Sequence, residues 1–386
     1  MPDAVTASSW GAKLRLQAMI VTGVVMFVFI TMHLSNLALG LISVQAMEDW
    51  RGALTGVWTT FLPLKILLQV SLVLHFLLAL FSLYSRNTLN VPAYDMVQMI
   101  AGILIIPLLA LHVFGVMALS DLGLEPTYMI VLEQFWVVSP FYGLQQVVLL
   151  VVAWVHGAIG VYTWLQSRDG SRRTMVFFYP FVVAMPIVAL LGYVEAGRQI
   201  IPVDEGGSGF VMQDDPNKLG PKVEPELIPV IIAQAKERQK IAARGSLGLV
   251  VLAFLARWLR LRGQRTSNIN VTYFGVRKQT FLAKSGLTLL EMARENNVPH
   301  ANVCRGRGRC GTCRVRVLSG QANLPAPSEM EAKVLARWGA EPNERLACQL
   351  KPLEGSVDVE RVIQPDYSNL DYSRARPNID VSADAT

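Results

Sequence analysis

The chain predicts an all-α bundle of six membrane-length helices followed by a small α+β domain. Three observations carry that expectation. Long, charge-poor apolar runs fill the first two-thirds, β-branched alternation begins after residue 267, and all four cysteines fall in the last quarter. Hydrophobic residues make up 52% of the 386 and charged residues only 17%, against about 25% charged in soluble domains. Both biases concentrate before residue 200.

Five runs are long enough to cross a bilayer: Leu16–Val44, Thr60–Tyr84, Met96–Leu119, Gly143–Leu165 and Met175–Val194. The first is too long for a signal-peptide core and lacks a convincing cleavage site. A sixth, Gly245–Leu261, is weaker: its charge-free centre is short and Arg257 and Arg260 lie near its end, where long arginine side chains can snorkel to the interface. A surface-lying amphipathic helix is the alternative there. Lys13 and Arg15 precede the first run, Arg86 follows the second, Arg168, Arg172 and Arg173 follow the fourth, and Arg257, Arg260, Arg262 and Arg265 close the sixth. The intervening turns carry Glu48, Asp49, Asp121, Glu125 and Glu133. That alternation obeys the positive-inside rule for six crossings with both termini cytoplasmic. It puts the connection Glu195–Arg244 outside, with an amphipathic helix expected over Glu226–Ala242. The net charge of +6 sits mostly beside apolar runs and on the cysteine loop, so it reads as attraction to an anionic leaflet rather than to nucleic acid.

His33, His75, His112 and His156 occupy the first four runs, one each. A single intramembrane histidine commonly serves as an interhelical hydrogen-bond donor, but ionisable groups in lipid are rare and usually functional. No His-x-x-His, His-x-x-x-His or Glu-x-x-His pair is present, which disfavours zinc or di-iron sites built from one helix. Haem iron instead takes one imidazole from each of two facing helices. Each histidine lies past the midpoint of its run, and alternate runs point in opposite directions. His33 and His112 therefore share the outer half and His75 and His156 the inner half, about 10 Å apart along the bundle. Two stacked bis-histidine b haems follow, with Gly115, Gly157 and Gly160 permitting close approach.

This half resembles the dihaem cytochrome b anchor of the succinate dehydrogenase and fumarate reductase family. The resemblance implies that His33 with His112 holds one haem, that His75 with His156 holds the other, and that a quinone is substrate or exchangeable cofactor. The chain departs from that family in carrying its ligands on consecutive segments, with two histidine-free helices added afterwards.

After Ser267 the sequence predicts strands at Asn268–Phe274 and Gln279–Ala283 and a helix at Leu289–Asn296 opened by a Thr288/Glu291 capping box. A strand at Arg314–Leu318 follows, then a helix after Pro327 with Ser328 and Glu331 repeating the capping signature, and strands at Arg345–Leu350 and Ser356–Val362. The cysteines run Cys304-x5-Cys310-x2-Cys313, with Cys348 remote. Three thiolates on a tight loop and a fourth from a distant strand suit a [2Fe–2S] cluster. Zinc sites favour two close pairs, and a cytoplasmic face disfavours disulfides. Gly306, Gly308 and Gly311 let backbone amides turn toward the sulfurs. The element order and the string from Cys304 to Val317, completed by Leu346-Ala-Cys348-Gln-Leu350, resemble the β-grasp ferredoxin family, with the five-residue first gap of its adrenodoxin-like branch. Arg305, Arg307, Arg309, Arg314 and Arg316 crowd the loop, either as a solvated basic face or, for Arg305, Arg307 and Arg309 above all, as a docking site for headgroups or an acidic partner. His300 lies close enough in sequence to be coupled to the cluster, though a loop histidine is more often incidental.

The expected organisation is a transmembrane dihaem cytochrome b-like domain (residues 1–262, including the external loop 195–244), a [2Fe–2S] ferredoxin domain (267–363) and a polar tail (364–386). The pairing also resembles the N-terminal half of membrane-bound class III adenylate cyclases. The two dozen residues after Val362 cannot hold the metal-binding carboxylates and purine pocket of a cyclase. No dinucleotide fingerprint is present, since the loop glycines neither follow a strand nor open a helix. The expected activity is electron transfer between the quinone pool and a cytoplasmic-side partner, in a multi-pass protein of a bacterial inner membrane. A redox-sensing module and an accessory subunit of a larger respiratory or photosynthetic complex are the alternatives.

Overall fold

The computed structural model describes residues 3–121, 125–165, 171–200, 226–264, 267–275 and 278–365. These fall into two units: Met1–Tyr84, Val97–Tyr162 and Arg172–Leu255 in one, and Ser85–Met96, Thr163–Ser171 and Ala256–Thr386 in the other. Arg168, Arg265, residues 201–225 of the long connection and residues 366–386 of the tail lie outside the described residues.

The first part of the chain forms α1 (Asp3–Ala38), α2 (Val44–Arg51), α3 (Val57–Thr60), α4 (Leu62–Ser85), α5 (Ala93–Asp121), α6 (Tyr128–Glu133), α7 (Pro140–Leu165), α8 (Ser171–Ile200) and α9 (Leu227–Gly263). Six of these, α1, α4, α5, α7, α8 and α9, are long and apolar enough to cross a membrane by length and composition. Their outward faces are apolar: Val21, Val70, Val73, Val183 and Val251 are all more than half exposed. Inside, polar groups close on backbone carbonyls. Trp154 Nε1 donates to Val182 O at 2.8 Å and Gln145 Nε2 to Leu108 O at 3.2 Å. Such bonds matter where no water can substitute.

One expectation needs correction here. The amphipathic helix Glu226–Ala242 and the span Gly245–Leu261 are one continuous helix, α9. Gly245 and Gly248 do not interrupt it, because neither has a positive φ and a Cβ at either would meet open space. Arg257 and Arg260 find partners within the protein. They donate to the carbonyls of Arg86 and Asn87 at 2.9–3.0 Å and to Asn87 Oδ1 at 2.9 Å. The short helices α2 and α6, each capped by a hydroxyl (Ser43 and Thr127), were not expected. They are too brief to show a hydrophobic period.

The second unit is built on five strands, β1 (Asn268–Phe274), β2 (Gln279–Lys284), β3 (Arg314–Ser319), β4 (Glu344–Leu346) and β5 (Ser356–Arg361), with helices α10 (Leu289–Glu295) and α11 (Glu329–Arg337). The sheet order is β2-β1-β5-β3-β4. The central β1 and β5 run parallel and the other neighbours antiparallel, which gives the mixed sheet expected. Alternate side chains Ile269, Val271 and Tyr273 of β1 are fully buried against Leu289, Met292, Val315, Val317, Val357 and Val359, following the period-2 pleat. The Thr288/Glu291 capping box is formed in full.

Two further readings are corrected in this unit. The strand expected over Arg345–Leu350 stops at Leu346, because Gln349 N and Leu350 N both fold back onto Leu346 O and turn Cys348 out of the sheet. Glu331 does not complete a second capping box. Ser328 accepts from its amide, but the Glu331 carboxylate goes to Arg345 Nε and Nη2 (2.9 and 3.0 Å) and to Leu346 N (2.9 Å).

Candidate functional sites in the helical unit and the sheet unit

The loop from Asn302 to Thr312 follows α10 and is shaped by four positive-φ residues: Arg305 (61°), Gly306 (82°), Gly308 (64°) and Gly311 (74°). Gly311 has a second constraint, since the Trp338 indole lies where its Cβ would project, and that indole donates to Cys310 O at 2.9 Å. The turn aims amides and a hydroxyl at sulfur. Cys304 N and Thr312 N approach Cys310 Sγ at 3.3 and 3.5 Å, Arg309 N approaches Cys304 Sγ at 3.5 Å, and Thr312 Oγ1 lies 3.0 Å from Cys310 Sγ. Across the domain, Gln349 Nε2 donates to Cys348 Sγ at 3.5 Å.

The turn after β4 thus brings Cys348 to the loop, and all four thiols are free of disulfides. They meet two and two. The Cys310 thiol donates to Cys304, which with the amides of Arg309, Cys310 and Arg307 holds Cys304 down to about 5 against its burial; Cys310 is pushed up in turn. The Cys313 thiol donates to Cys348 in the same way, lowering Cys348 and raising Cys313. Among the described residues no three His, Cys, Asp or Glu side chains converge to hold one ion. Two pairs are what two irons, each taking two thiolates, require.

The family comparison settles this domain. The 2Fe-2S iron-sulfur cluster binding domain family matches residues 274–353, and a 2Fe-2S ferredoxin of Buchnera aphidicola is 34% identical over 93 residues, 24% of this chain and 80% of its own length. The chain belongs to the [2Fe–2S] ferredoxin family through its C-terminal domain. The 2Fe-2S ferredoxin of Escherichia coli K12 is 37% identical over 79 residues, 20% of this chain and 71% of that protein. The crystal structure of an ISC-like [2Fe-2S] ferredoxin from Pseudomonas putida is 29% identical, covering 24% of this chain and 89% of that one, with a TM-score of 0.22. The ferredoxin domain is therefore an electron-carrier module with a [2Fe–2S] cluster.

The basic face expected around the ferredoxin loop is largely neutralised. Arg305 is turned inward, its guanidinium 3.0 Å from the centre of the Tyr94 ring and paired with Asp95 at 3.3 Å. Arg314 pairs with Glu344, and Arg316 with Glu341, Glu344 and Glu360. Arg307 and Arg309 are half-buried. His300 is buried, edge-on to Tyr273 at 5.8 Å, with no direct contact to a cysteine among the described interactions; burial holds it down to about 4.

In the helical unit the four histidines pair as the depth argument expects. His33 and His112 face each other with ring centres 6.0 Å apart, and His75 and His156 with ring centres 6.2 Å apart. A metal–imidazole bond of about 2 Å on each side of one iron would set two ring centres roughly 6 Å apart, so both gaps match a bis-imidazole site. The hydrogen bonds of one pair point the same way. Thr22 Oγ1 donates to Ala18 O at 2.7 Å and so turns a lone pair to His75 Nδ1 at 3.0 Å. The Gln98 carbonyl, which can only accept, lies 2.8 Å from His156 Nδ1. His156 therefore carries its proton on Nδ1 and keeps Nε2 as a lone-pair donor, as a metal-ligating histidine does, while His75 is held by Thr22 Oγ1 and the Met19 backbone. Gly23 and Gly102 lie against these rings. A Cβ at Gly102 would stand 2.9 Å from His156 Cε1, and one at Gly23 would stand 3.3 Å from His75 Cε1. Sequence reasoning named Gly115, Gly157 and Gly160 instead. A Cβ at Gly115 would meet nothing, whereas Gly157 receives the Phe27 ring and Gly160 the Gln98 amide. Helical period relates residues within one helix, so it does not reveal which glycine faces which ring.

Proposed function

We propose that this chain is a membrane-embedded electron carrier linking a quinone pool to a partner on the cytoplasmic side. It would do so with two bis-histidine b haems, held by His33 with His112 and by His75 with His156, and a [2Fe–2S] cluster held by Cys304, Cys310, Cys313 and Cys348. The observation that carries the reading is the pair of facing imidazole couples, each drawn from two apolar helices and each spaced for one iron, in a chain that also holds a ferredoxin domain.

The residues divide the work. Gln98 fixes the tautomer of His156, Thr22 holds His75, and Gly23 and Gly102 keep their rings clear. Cysteines meeting as Cys304 with Cys310 and Cys313 with Cys348 offer two thiolates to each of two irons, while loop amides donate to the sulfurs and temper their charge. When bound, the haems and the cluster supply one-electron exchange, which imidazoles and thiols do not. Histidines carried on apolar helices of membrane-crossing length support exchange with a lipid-soluble quinol. The positive-inside pattern supports a ferredoxin domain on the cytoplasmic side, where Arg307 and Arg309 would meet an acidic partner.

Anaerobic addition of a short-chain quinol to the purified protein tests this. The expected result is reduction of the haem α-bands followed by the cluster EPR signal. A cluster reduced by dithionite but untouched by quinol, with haem bands unchanged, would overturn the quinone-linked reading.

A further inference from the structure

We infer that Ser85–Met96, which runs from the end of α4 into the first turn of α5, is the docking surface of the cluster-binding loop, and that Arg305 is the positioning residue that seats the loop on it. The ferredoxin domain then works from a fixed seat on its own chain, not as a carrier swinging on a tether. The inference goes beyond the reading above and does not depend on the haems.

Backbone geometry singles out Arg305. It holds φ at 61°, a left-handed conformation in which the Cβ of an L residue crowds the backbone. Gly306, Gly308 and Gly311 also take positive φ, and a glycine does so without that cost, so a glycine at 305 would serve the loop equally well. A strained arginine persists where its surroundings over-determine it. Here the guanidinium lies 3.0 Å from the centre of the Tyr94 ring and 3.3 Å from Asp95 Oδ1, and the side chains of the ion pair are only 8% and 16% exposed. Asp95 stands in the first turn of α5, where the helix dipole favours a carboxylate.

The same segment is held from other parts of the domain. Asn87 Nδ2 donates to Gly286 O at 2.6 Å, in the turn after β2, and Arg294 Nη1, from the last turn of α10, donates to Asn90 O at 3.2 Å. Arg257 and Arg260 of α9 donate to the carbonyls of Arg86 and Asn87. All these residues lie in the compact unit that contains the sheet. Contacts from three sequence-distant places, Gly286, Arg294 and Arg305, fix orientation as well as distance. Linked groups meet without the diffusional encounter that a free ferredoxin needs, and a fixed seat sets one distance in place of a range. With Arg305 committed inward, Arg307 and Arg309 are the loop cations left for an outside partner.

The test is a pulsed EPR distance measurement on the full-length protein in detergent. The chain has four cysteines, all claimed by the cluster. Ser85→Cys, at an exposed position, therefore takes a single gadolinium(III) chelate once the cluster is assembled, and the dithionite-reduced cluster is the second spin. The labelled parent is expected to give one narrow label-to-cluster distance. Arg305→Gly, which suits the loop backbone, is expected to keep the cluster signal and lose the narrow peak to a broad distribution. Tyr94→Ala with Asp95→Ala leaves the loop sequence untouched and is expected to do the same. A broad distribution in the labelled parent, or a narrow peak kept by either variant with its cluster intact, overturns the inference. The distance is read whether or not haem is bound, so a protein with no Soret absorbance overturns the dihaem reading alone.

Discussion

Glu331 is a side chain whose loss should be felt from the core of the ferredoxin domain to its cluster. It is 1% exposed, and its carboxylate takes two bonds from the Arg345 guanidinium (2.9 and 3.0 Å) and one from Leu346 N (2.9 Å), two residues before Cys348. Glu331→Gln keeps the shape and removes the charge. Arg345, itself 10% exposed, is then left as a buried cation facing Pro325 O and an uncharged amide in place of a carboxylate. Removing one partner of a buried pair costs about 3–5 kcal/mol, a large share of the roughly 5–15 kcal/mol that stabilises a domain. At about 4–8 °C per kcal/mol for a domain of 60–100 residues, even the lower figure predicts a fall of roughly 12 °C or more. The assay is thermal loss of the cluster's visible circular dichroism in the full-length protein, with parent and variant heated at one scan rate. Replacing both partners with apolar residues, as in Glu331→Leu with Arg345→Met, should recover most of the loss. A Glu331→Gln midpoint within about 3 °C of the parent would refute the claim that this pair fixes the turn carrying Cys348.

Other expectations follow from single contacts. Gly102→Ala puts a Cβ 2.9 Å from the His156 ring and should remove the absorbance of one haem while the other persists; Gly115→Ala, which meets nothing, should leave both. His300 is neutral when folded, held down to about 4 chiefly by burial, while the unfolded chain protonates below about 6.5. Its contribution is absent above that value and turns destabilising as pH falls toward 4, costing about 2 kcal/mol between pH 7 and pH 5. His300→Gln should flatten that part of the pH dependence of cluster loss, and an identical pH dependence in both proteins would contradict the assignment.

The outline of the chain was legible because its signals are local. Apolar run length located the six long helices among the described residues, though it divided α9; Thr288 and Glu291 located a cap that forms as written, and β-branched alternation located β1, β2, β3 and β5. The depth of each histidine in its run predicted which rings meet. What escaped was partner choice at long range. Glu331 reads as a capping residue until Arg345 is brought beside it by the sheet, and Arg305 reads as a surface cation until Tyr94 and Asp95 take it up. Glu226–Ala242 and Gly245–Leu261 read as separate elements, yet a glycine costs only about 1 kcal/mol inside a helix, too little to divide α9. Thr22 and Gln98, which hold the inner imidazoles, lie on helices other than those of the rings they hold, so no spacing rule could link them.

The most direct measurement is cofactor stoichiometry on the purified full-length protein, by pyridine haemochrome, total iron and EPR together. Two b haems per chain, total iron of twice the haem content, and one rhombic [2Fe–2S] signal are the predicted result. Iron that matches the cluster alone, with no Soret band, would contradict the account and leave a ferredoxin domain joined to a bundle whose histidines merely pack.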